Sequence, residues 1–174
     1  MILKNKTIRK SRAHSNNPSI VAVLQNIRSL HNVGSIFRTA DAAGVLKIYL
    51  CGITPTPIDR FGSYRKEIAK VALCGERYVP WEYGRSILPV IRRLRKEGYL
   101  ICAVEQSRKS IPYYRLRDGK LPLKIALVLG SEVRGLSPRV LRAADRILEI
   151  PMAGEKESLN VAVAFGIVVF GIRF

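Results

Sequence analysis

Ile150-Pro-Met-Ala-Gly-Glu-Lys-Glu-Ser158-Leu-Asn160, running straight into Val161-Ala-Val-Ala-Phe-Gly-Ile-Val-Val-Phe-Gly-Ile-Arg-Phe174, is the stretch from which the fold is read. Polar atoms crowd one end of a helix that is apolar around nearly its whole circumference, and such a helix must be buried. Ser158 stands where an N-cap belongs, its hydroxyl placed to accept from first-turn amides. Asn160 follows at the positive end of the helix dipole. That end suits a small polar ligand, and ordinary capping explains the same residues. The apolar run falls short of the roughly 20 residues that a membrane crossing needs and carries Asn160 and Arg173 near its ends. The helix is therefore expected in a core or at a subunit interface.

A chain of 174 residues, 48% of them hydrophobic, is expected to form one domain with a real core and no need of metal or disulfide staples. Thirty Lys and Arg against thirteen Asp and Glu leave a formal charge of +17, which implies a polyanionic partner. The basic residues do not concentrate on one long amphipathic helix, so nucleic acid is favoured over a membrane surface. Cys51, Cys74 and Cys102 form no CxxC pair and have only His14 and His31 as possible companions. They are read as reduced, mostly buried thiols, with no metal site expected. No apolar segment of signal-peptide length opens the chain, so a cytoplasmic location is expected.

Residues 1–17 carry Lys4, Lys6, Arg9, Lys10 and Arg12 without an acid and read as a flexible basic arm ahead of one folded domain, residues 18–174. Short β-branched runs at Ser19 to Leu24 and Leu46 to Cys51 flank a helix whose Val33, Ile36, Phe37 and Ala40 recur at helical spacing, with Gly44 as its stop. Gly52 to Gly62 is a long Pro-containing loop. Arg60, Arg65 and Lys66 follow within reach of a phosphate backbone, or form a solvated charge run. Helical patterns are predicted near Tyr64 to Leu73 and Ser86 to Lys96, and strands at Tyr99 to Val104, Lys124 to Leu129 and Arg146 to Ile150. Tyr113 and Tyr114 either stack on bases or pack on the surface. Ser137-Pro138 opens a further helix. The alternation predicts an α/β protein with a mainly parallel sheet and flanking helices.

No GxxxxGK[ST] loop and no GxGxxG after a strand is present, so the usual signatures of triphosphate hydrolysis and dinucleotide binding are missing. Glu105 stands at the carboxyl end of a strand, where open α/β sheets bind ligands. Gly130 and Gly135 flank Glu132 after the clearest buried strand. There Gly130 lets backbone approach a ligand, or simply makes a tight turn.

Three blocks, Asn26-Ile-Arg-Ser-Leu-His-Asn32-Val-Gly34-Ser-Ile-Phe-Arg38-Thr-Ala, Leu129-Gly-Ser-Glu132-Val-Arg-Gly135-Leu-Ser and Ile150 to Ala164, resemble in order the three motifs of the SpoU, or TrmH-type, RNA ribose 2′-O-methyltransferases. The resemblance covers about residues 19 to 172. It implies a SPOUT fold with a C-terminal deep trefoil knot, a homodimer, and S-adenosylmethionine held in the knot. Position by position it implies Asn32, Arg38, Glu132, Ser158 and Asn160 as catalytic. It further implies a cofactor bed of Val104, Glu105, Leu129, Gly130, Ile150, Met152, Ser158 and Leu159. Arg28, Arg60, Arg65, Lys66, Arg108 and Arg134 are expected to contact RNA.

An arginine keeps its proton at ordinary pH, so Arg38 is read as holding a developing alkoxide and a phosphate rather than as a base. Glu132 either orients Arg38 or Asn32, or pairs with Arg134 or Arg139. The stretch Lys96 to Ser110 resembles members that act on the D-loop guanosine of tRNA, which favours tRNA slightly over rRNA as the structured RNA partner. The competing reading is a basic RNA-binding or assembly protein that keeps the fold without turnover.

Overall fold

The computed structural model describes residues 17–118 and 122–174. The basic arm expected at the N-terminus lies, apart from Asn17, outside the described residues. In chain order the elements are β1 (Ser19–Gln25), α1 (Leu30–Ala42), β2 (Lys47–Cys51), α2 (Lys66–Ala72), α3 (Gly75–Tyr78), β3 (Trp81–Gly84) and α4 (Ile87–Lys96). They continue with β4 (Leu100–Val104), β5 (Ile111–Pro112), a 3-10 turn at Tyr113–Arg117, β6 (Lys124–Leu129), α5 (Pro138–Arg142), β7 (Arg146–Glu149) and α6 (Val161–Arg173). One seven-stranded sheet runs in the order β3-β2-β1-β6-β4-β7-β5, and each strand pairing within it is parallel.

β1 and β6 lie at the centre and are covered on both faces, which is why they read as unbroken apolar runs rather than alternating ones. Ile20, Ala22 and Leu24 face a core shared with α1, α2 and α6. Val21 and Val23 face the other, with Ile91 and Leu94 of α4 and Val140 of α5. The predicted stripe of α1 is buried as expected, and Gly44 follows its C-cap at φ 68°. Ser137 caps α5 by accepting from Val140 N.

Two edge strands were not foreseen, because β5 is only two residues ending in proline and Trp81-Glu-Tyr-Gly lacks a β-branched run. A carboxylate holds β3 in place. Glu82, 5% exposed, accepts from Lys47 Nζ and Arg93 Nη2, each at 2.8 Å. Burial alone would raise its carboxyl, but those two hydrogen bonds prevail and hold it below the usual range. The predicted Tyr64 to Leu73 helix shortens to α2, since Leu73 and Cys74 both turn left-handed and begin α3 afresh. Cys51 and Cys102 are buried, and burial pushes both thiols up to about 12, whereas Cys74 is exposed.

The cap of α6 is Asn160, not Ser158. Asn160 keeps an extended backbone, and its Oδ1 accepts from Ala162 N at 2.9 Å and Val163 N at 3.4 Å, so the helix starts at Val161 and Ser158 stays in the preceding loop. Nor is the whole circumference of α6 buried within the chain. Phe165, Val168, Val169 and Ile172 pack inward, while Val163, Phe170 and Phe174 are exposed, because a helix laid on a sheet covers only one side. Tyr113 resolves toward packing. Its ring lies where a Cβ on Gly171 of α6 would sit, 2.3 Å from Cε2, and its neighbour Tyr114 stays exposed.

Gly34 brings α1 and α2 together: an added Cβ would lie 2.8 Å from Ile68 O and 3.0 Å from Val71 Cβ. Since backbone must yield there, Gly34→Ala is expected to lower stability by about 1–3 kcal/mol, seen as a lower urea midpoint with an unchanged slope.

Candidate functional site

In an all-parallel sheet every strand points its carboxyl end to the same edge, so the loops after β1, β2, β4, β6 and β7 gather along one side. The three sequence blocks meet there. Asn32 lies in the first turn of α1, its backbone N–H donating to the Ser29 N-cap hydroxyl at 3.1 Å. Its side chain is 8% exposed and bridges two other loops. Nδ2 donates to Glu132 Oε1 at 2.7 Å, and Oδ1 accepts from Asn160 Nδ2 at 3.1 Å. Asn160 in turn caps α6, so the amino ends of two helices, each carrying partial positive charge, converge on one amide.

Of the alternatives open for Glu132, the contact made is with Asn32. Among the described residues no ion pair joins it to Arg134 or Arg139. Ser158 is exposed at the rim. Arg38 stands apart. It is exposed, six positions beyond Asn32 on α1, and so roughly 9 Å further along the axis. Among the described residues no hydrogen bond or ion pair engages its guanidinium, and nothing links it to Glu132 or Asn160.

Beside the bridge lies a cavity of about 480 Å³ between the loops after β4, β6 and β7. Seven of the eight residues expected to bed a cofactor line it, namely Val104, Glu105, Leu129, Gly130, Ile150, Ser158 and Leu159; Met152 does not. Sequence reasoning missed Leu136, Leu141 and Leu148 in its wall, which follow closely in the chain but lie in a turn, on a short helix and on a strand, so that no single periodicity joins them. A larger, shallower depression of about 660 Å³ opens at the amino edge, around Arg95, Glu97, Tyr99 and Lys124. It contains none of the motif residues and no helix amino end. The smaller cavity, walled by the motif loops, is the better candidate despite its size.

Glu105 acts on the loop beside it. Its Oε2 accepts from Leu136 N at 2.9 Å and its Oε1 from Gln106 N at 3.1 Å. A Cβ on Gly135, which sits at φ 58°, would fall 2.2 Å from Oε2, so the carboxylate and a glycine are needed together. Gly130 lines the cavity, yet its bareness serves first the tight turn that was one of its two readings. A Cβ there would lie 2.4 Å from the Gly135 carbonyl carbon, so the missing side chain first admits the loop's own backbone. Gln106, not singled out from sequence, donates from Nε2 to Glu157 O at 2.6 Å and ties the loop after β4 to the one before α6. Asn26 was missed too. It turns left-handed at φ 56°, and its Oδ1 accepts from Ile53 N; an asparagine directly after a strand was the available signal.

Arg28, Arg60, Lys66, Arg108 and Arg134 are exposed on or beside these same loops. Arg65 is half-buried, its Nε donating to Thr56 O at 3.1 Å, and serves at least partly to brace its loop. Among the described residues no helix is long and apolar enough to cross a membrane, and no group of three His, Cys, Asp or Glu is arranged to hold a metal.

The chain is 34% identical over 154 residues to the 23S rRNA (guanosine-2′-O-)-methyltransferase RlmB of Ralstonia nicotianae, covering 88% of this chain and 57% of that protein. It is 28% identical to the putative TrmH family tRNA/rRNA methyltransferase YacO of Bacillus subtilis, covering 94% of this chain and 61% of the other. Among solved structures, an AdoMet-bound rRNA methyltransferase from Sinorhizobium meliloti superimposes with a TM-score of 0.79 at 30% identity, over 92% of this chain and 58% of that one. The TrmH/SpoU tRNA modifying enzyme of A. aeolicus gives 0.75 at 26%, over 91% of this chain and 75% of that one. The chain thus spans about three fifths of the length of the curated relatives it matches. With residues 19–170, which hold all three blocks meeting at Asn32, matching the SpoU rRNA Methylase family, the chain belongs to that family.

Proposed function

We propose that this chain transfers a methyl group from S-adenosylmethionine to a ribose 2′-hydroxyl of structured RNA. The observation that carries the reading is the Asn32 bridge, which joins the motif loops beside a cavity of small-molecule size. About 480 Å³ lies within the range of roughly 300–1,000 Å³ usual for such sites. The walls suit the proposed cofactor. Leu129, Leu148, Ile150 and Leu159 offer apolar surface for an adenine ring and a short carbon chain, and the exposed backbone of two loops offers polar partners. When bound, the cofactor supplies an electrophilic methyl on a positively charged sulfur.

The chain's own residues would then do the positioning. Asn32 and Asn160, at the amino ends of α1 and α6, present fixed dipoles to an RNA sugar, and Glu132 fixes the orientation of the Asn32 amide. Arg38 is assigned to the phosphate next to the target and to charge developing on the 2′-oxygen. Because it makes no contact with the bridge inside one chain, this role is assigned across a homodimer, with Arg38 of a second copy facing the site. The exposed Val163, Phe170 and Phe174 of α6, with the two rings stacked at 5.7 Å, offer an apolar face for that copy. The trefoil threading expected of the family belongs to the same proposal and fits the tie between Gln106 and Glu157.

Both tRNA and rRNA relatives occur among the similar proteins, and only the stretch Lys96 to Ser110 favours tRNA. The test therefore incubates the protein with methyl-labelled S-adenosylmethionine and unmodified transcripts of each. Label is expected on ribose, and Arg38→Ala is expected to cut turnover by about 10²–10³ with cofactor binding by calorimetry unchanged. Label on a base would refute the ribose assignment, and RNA binding without turnover on any transcript would favour the assembly-protein reading.

Asn160→Asp keeps the oxygen that caps α6 but removes the donor to Asn32. It is expected to lower the midpoint of thermal unfolding, since the orphaned Asn32 acceptor costs roughly 1–3 kcal/mol, and, assayed well below that midpoint, to lower turnover at least tenfold, about 1.4 kcal/mol. Light scattering is expected to give two chains per particle. Phe170→Asp, at an exposed position, should yield folded single chains, whereas Val168→Asp, buried within the chain, should prevent folding.

A further inference from the structure

The long loop after β2, Gly52 to Gly62, is fastened both at its base and at its tip. Its base is fastened by Asn26 Oδ1, which accepts from Ile53 N, and by the buried Thr54 hydroxyl, which accepts from Ile27 N and donates to backbone at Leu24 O or Cys51 O. At its tip Asp59 Oδ1 accepts from Phe61 N at 2.8 Å and Ser63 N at 3.0 Å, and Asp59 N donates to Ser63 O. This fixed tip carries a phenyl ring outward: Phe61 is 77% exposed.

A single exposed apolar ring is ordinary, but this one is not isolated. The Arg60 guanidinium lies 4.7 Å from the Phe61 ring centroid, and that of Arg77 lies 4.8 Å from the ring of Tyr64, which is itself 40% exposed. Two residues before Arg77, Gly75 presses on α1, where an added Cβ would sit 3.1 Å from Arg38 N. A run of paired arginines and aromatic rings therefore leads from the loop tip to the backbone of Arg38. It rises from the same sheet edge as the Asn32 bridge.

An arginine over one face of a ring leaves the other face to solvent and adds positive charge beside it. A nucleobase stacks on such a face with little regard to its identity, and its phosphate is drawn to the neighbouring guanidinium. Bases inside a duplex have no free face to offer, so the ligand must be an unpaired nucleotide. The acid at the tip, Asp59, has an oxygen turned to two loop amides, and the chain as a whole carries +17, so a nucleic acid fits better than a neutral peptide.

We propose that Phe61, backed by Arg60, is a stacking platform for one unpaired nucleotide of the RNA substrate, and that Tyr64 with Arg77 continues this surface toward Arg38. The enzyme then selects RNA whose target region lies in a loop or bulge. This rests on the RNA-methyltransferase reading, yet the two fail separately.

The test measures binding of the native protein to a hairpin oligoribonucleotide with 2-aminopurine in its loop, and to the same stem as a blunt duplex. The wild type should prefer the hairpin and quench the 2-aminopurine. Phe61→Ala should weaken hairpin binding roughly five- to a hundred-fold and abolish the quenching, with duplex binding and thermal unfolding unchanged; Phe61→Trp should restore both signals. Equal hairpin affinity for wild type and Phe61→Ala, or equal losses for hairpin and duplex, overturns the platform. Ribose methylation that Phe61→Ala leaves intact at limiting RNA overturns the platform alone. Loop binding that depends on Phe61 without any methyl transfer upholds it and overturns the methyltransferase reading.

Discussion

A buried side-chain amide that keeps both its donor and its acceptor satisfied by two distant loops can do so in only one arrangement of those loops. Asn32 is such a group, with Glu132 on one side and Asn160 on the other. Orphaning either end would cost roughly 1–3 kcal/mol, a large share of a domain's net stability. The same bond that positions polar atoms at the cavity thus also fixes where α6 begins relative to α1. Function and fold draw on one contact here, which explains why the site's polar residues are not free to drift.

The opposite end of α6 is held as firmly. Arg173 donates to Ala43 O and Gly44 O at the carboxyl end of α1, and to Pro18 O just before β1, at 2.7–2.9 Å. A cation at the negative end of two helices is electrostatically favoured, and its three carbonyl partners replace the water lost on burial. Between these two anchors the helix lays Phe165, Val168, Val169 and Ile172 on the sheet and leaves its other side apolar and open. The loops around the cavity are braced in the same manner, by Glu105 against Leu136 and by Gln106 against Glu157, so the chain's own hydrogen bonds tie the pocket's walls to one another.

The charge of the chain finds its physical setting on this edge as well. Exposed arginines stand on loops after four different strands, and Arg60 on the long loop and Arg77 on α3 lie over aromatic rings. For the proposed RNA partner, long-range attraction would act first at this edge, and the proposed stacking rings would add a short-range preference that salt screens far less.

Much of the architecture was legible in the sequence because it rests on local periodicity. Unbroken apolar runs at Ser19–Gln25 and Lys124–Leu129 announce central parallel strands, and the spacing of Val33, Ile36, Phe37 and Ala40 defines the buried stripe of α1. The identities of Asn32, Glu132 and Asn160 as one group were legible only through resemblance, since their contacts span 100 and 128 residues and no local pattern encodes them. What tertiary structure alone decided follows from the same physics. Whether Ser158 or Asn160 caps α6 depends on which side chain also meets Asn32, and whether Gly130 faces a ligand or its own loop depends on where Glu105 pulls Gly135. Composition and periodicity determine which residues must be buried and which strands must form. The direction of each polar side chain is set by partners far along the chain, because hydrogen bonds are directional and hydrophobic burial is not.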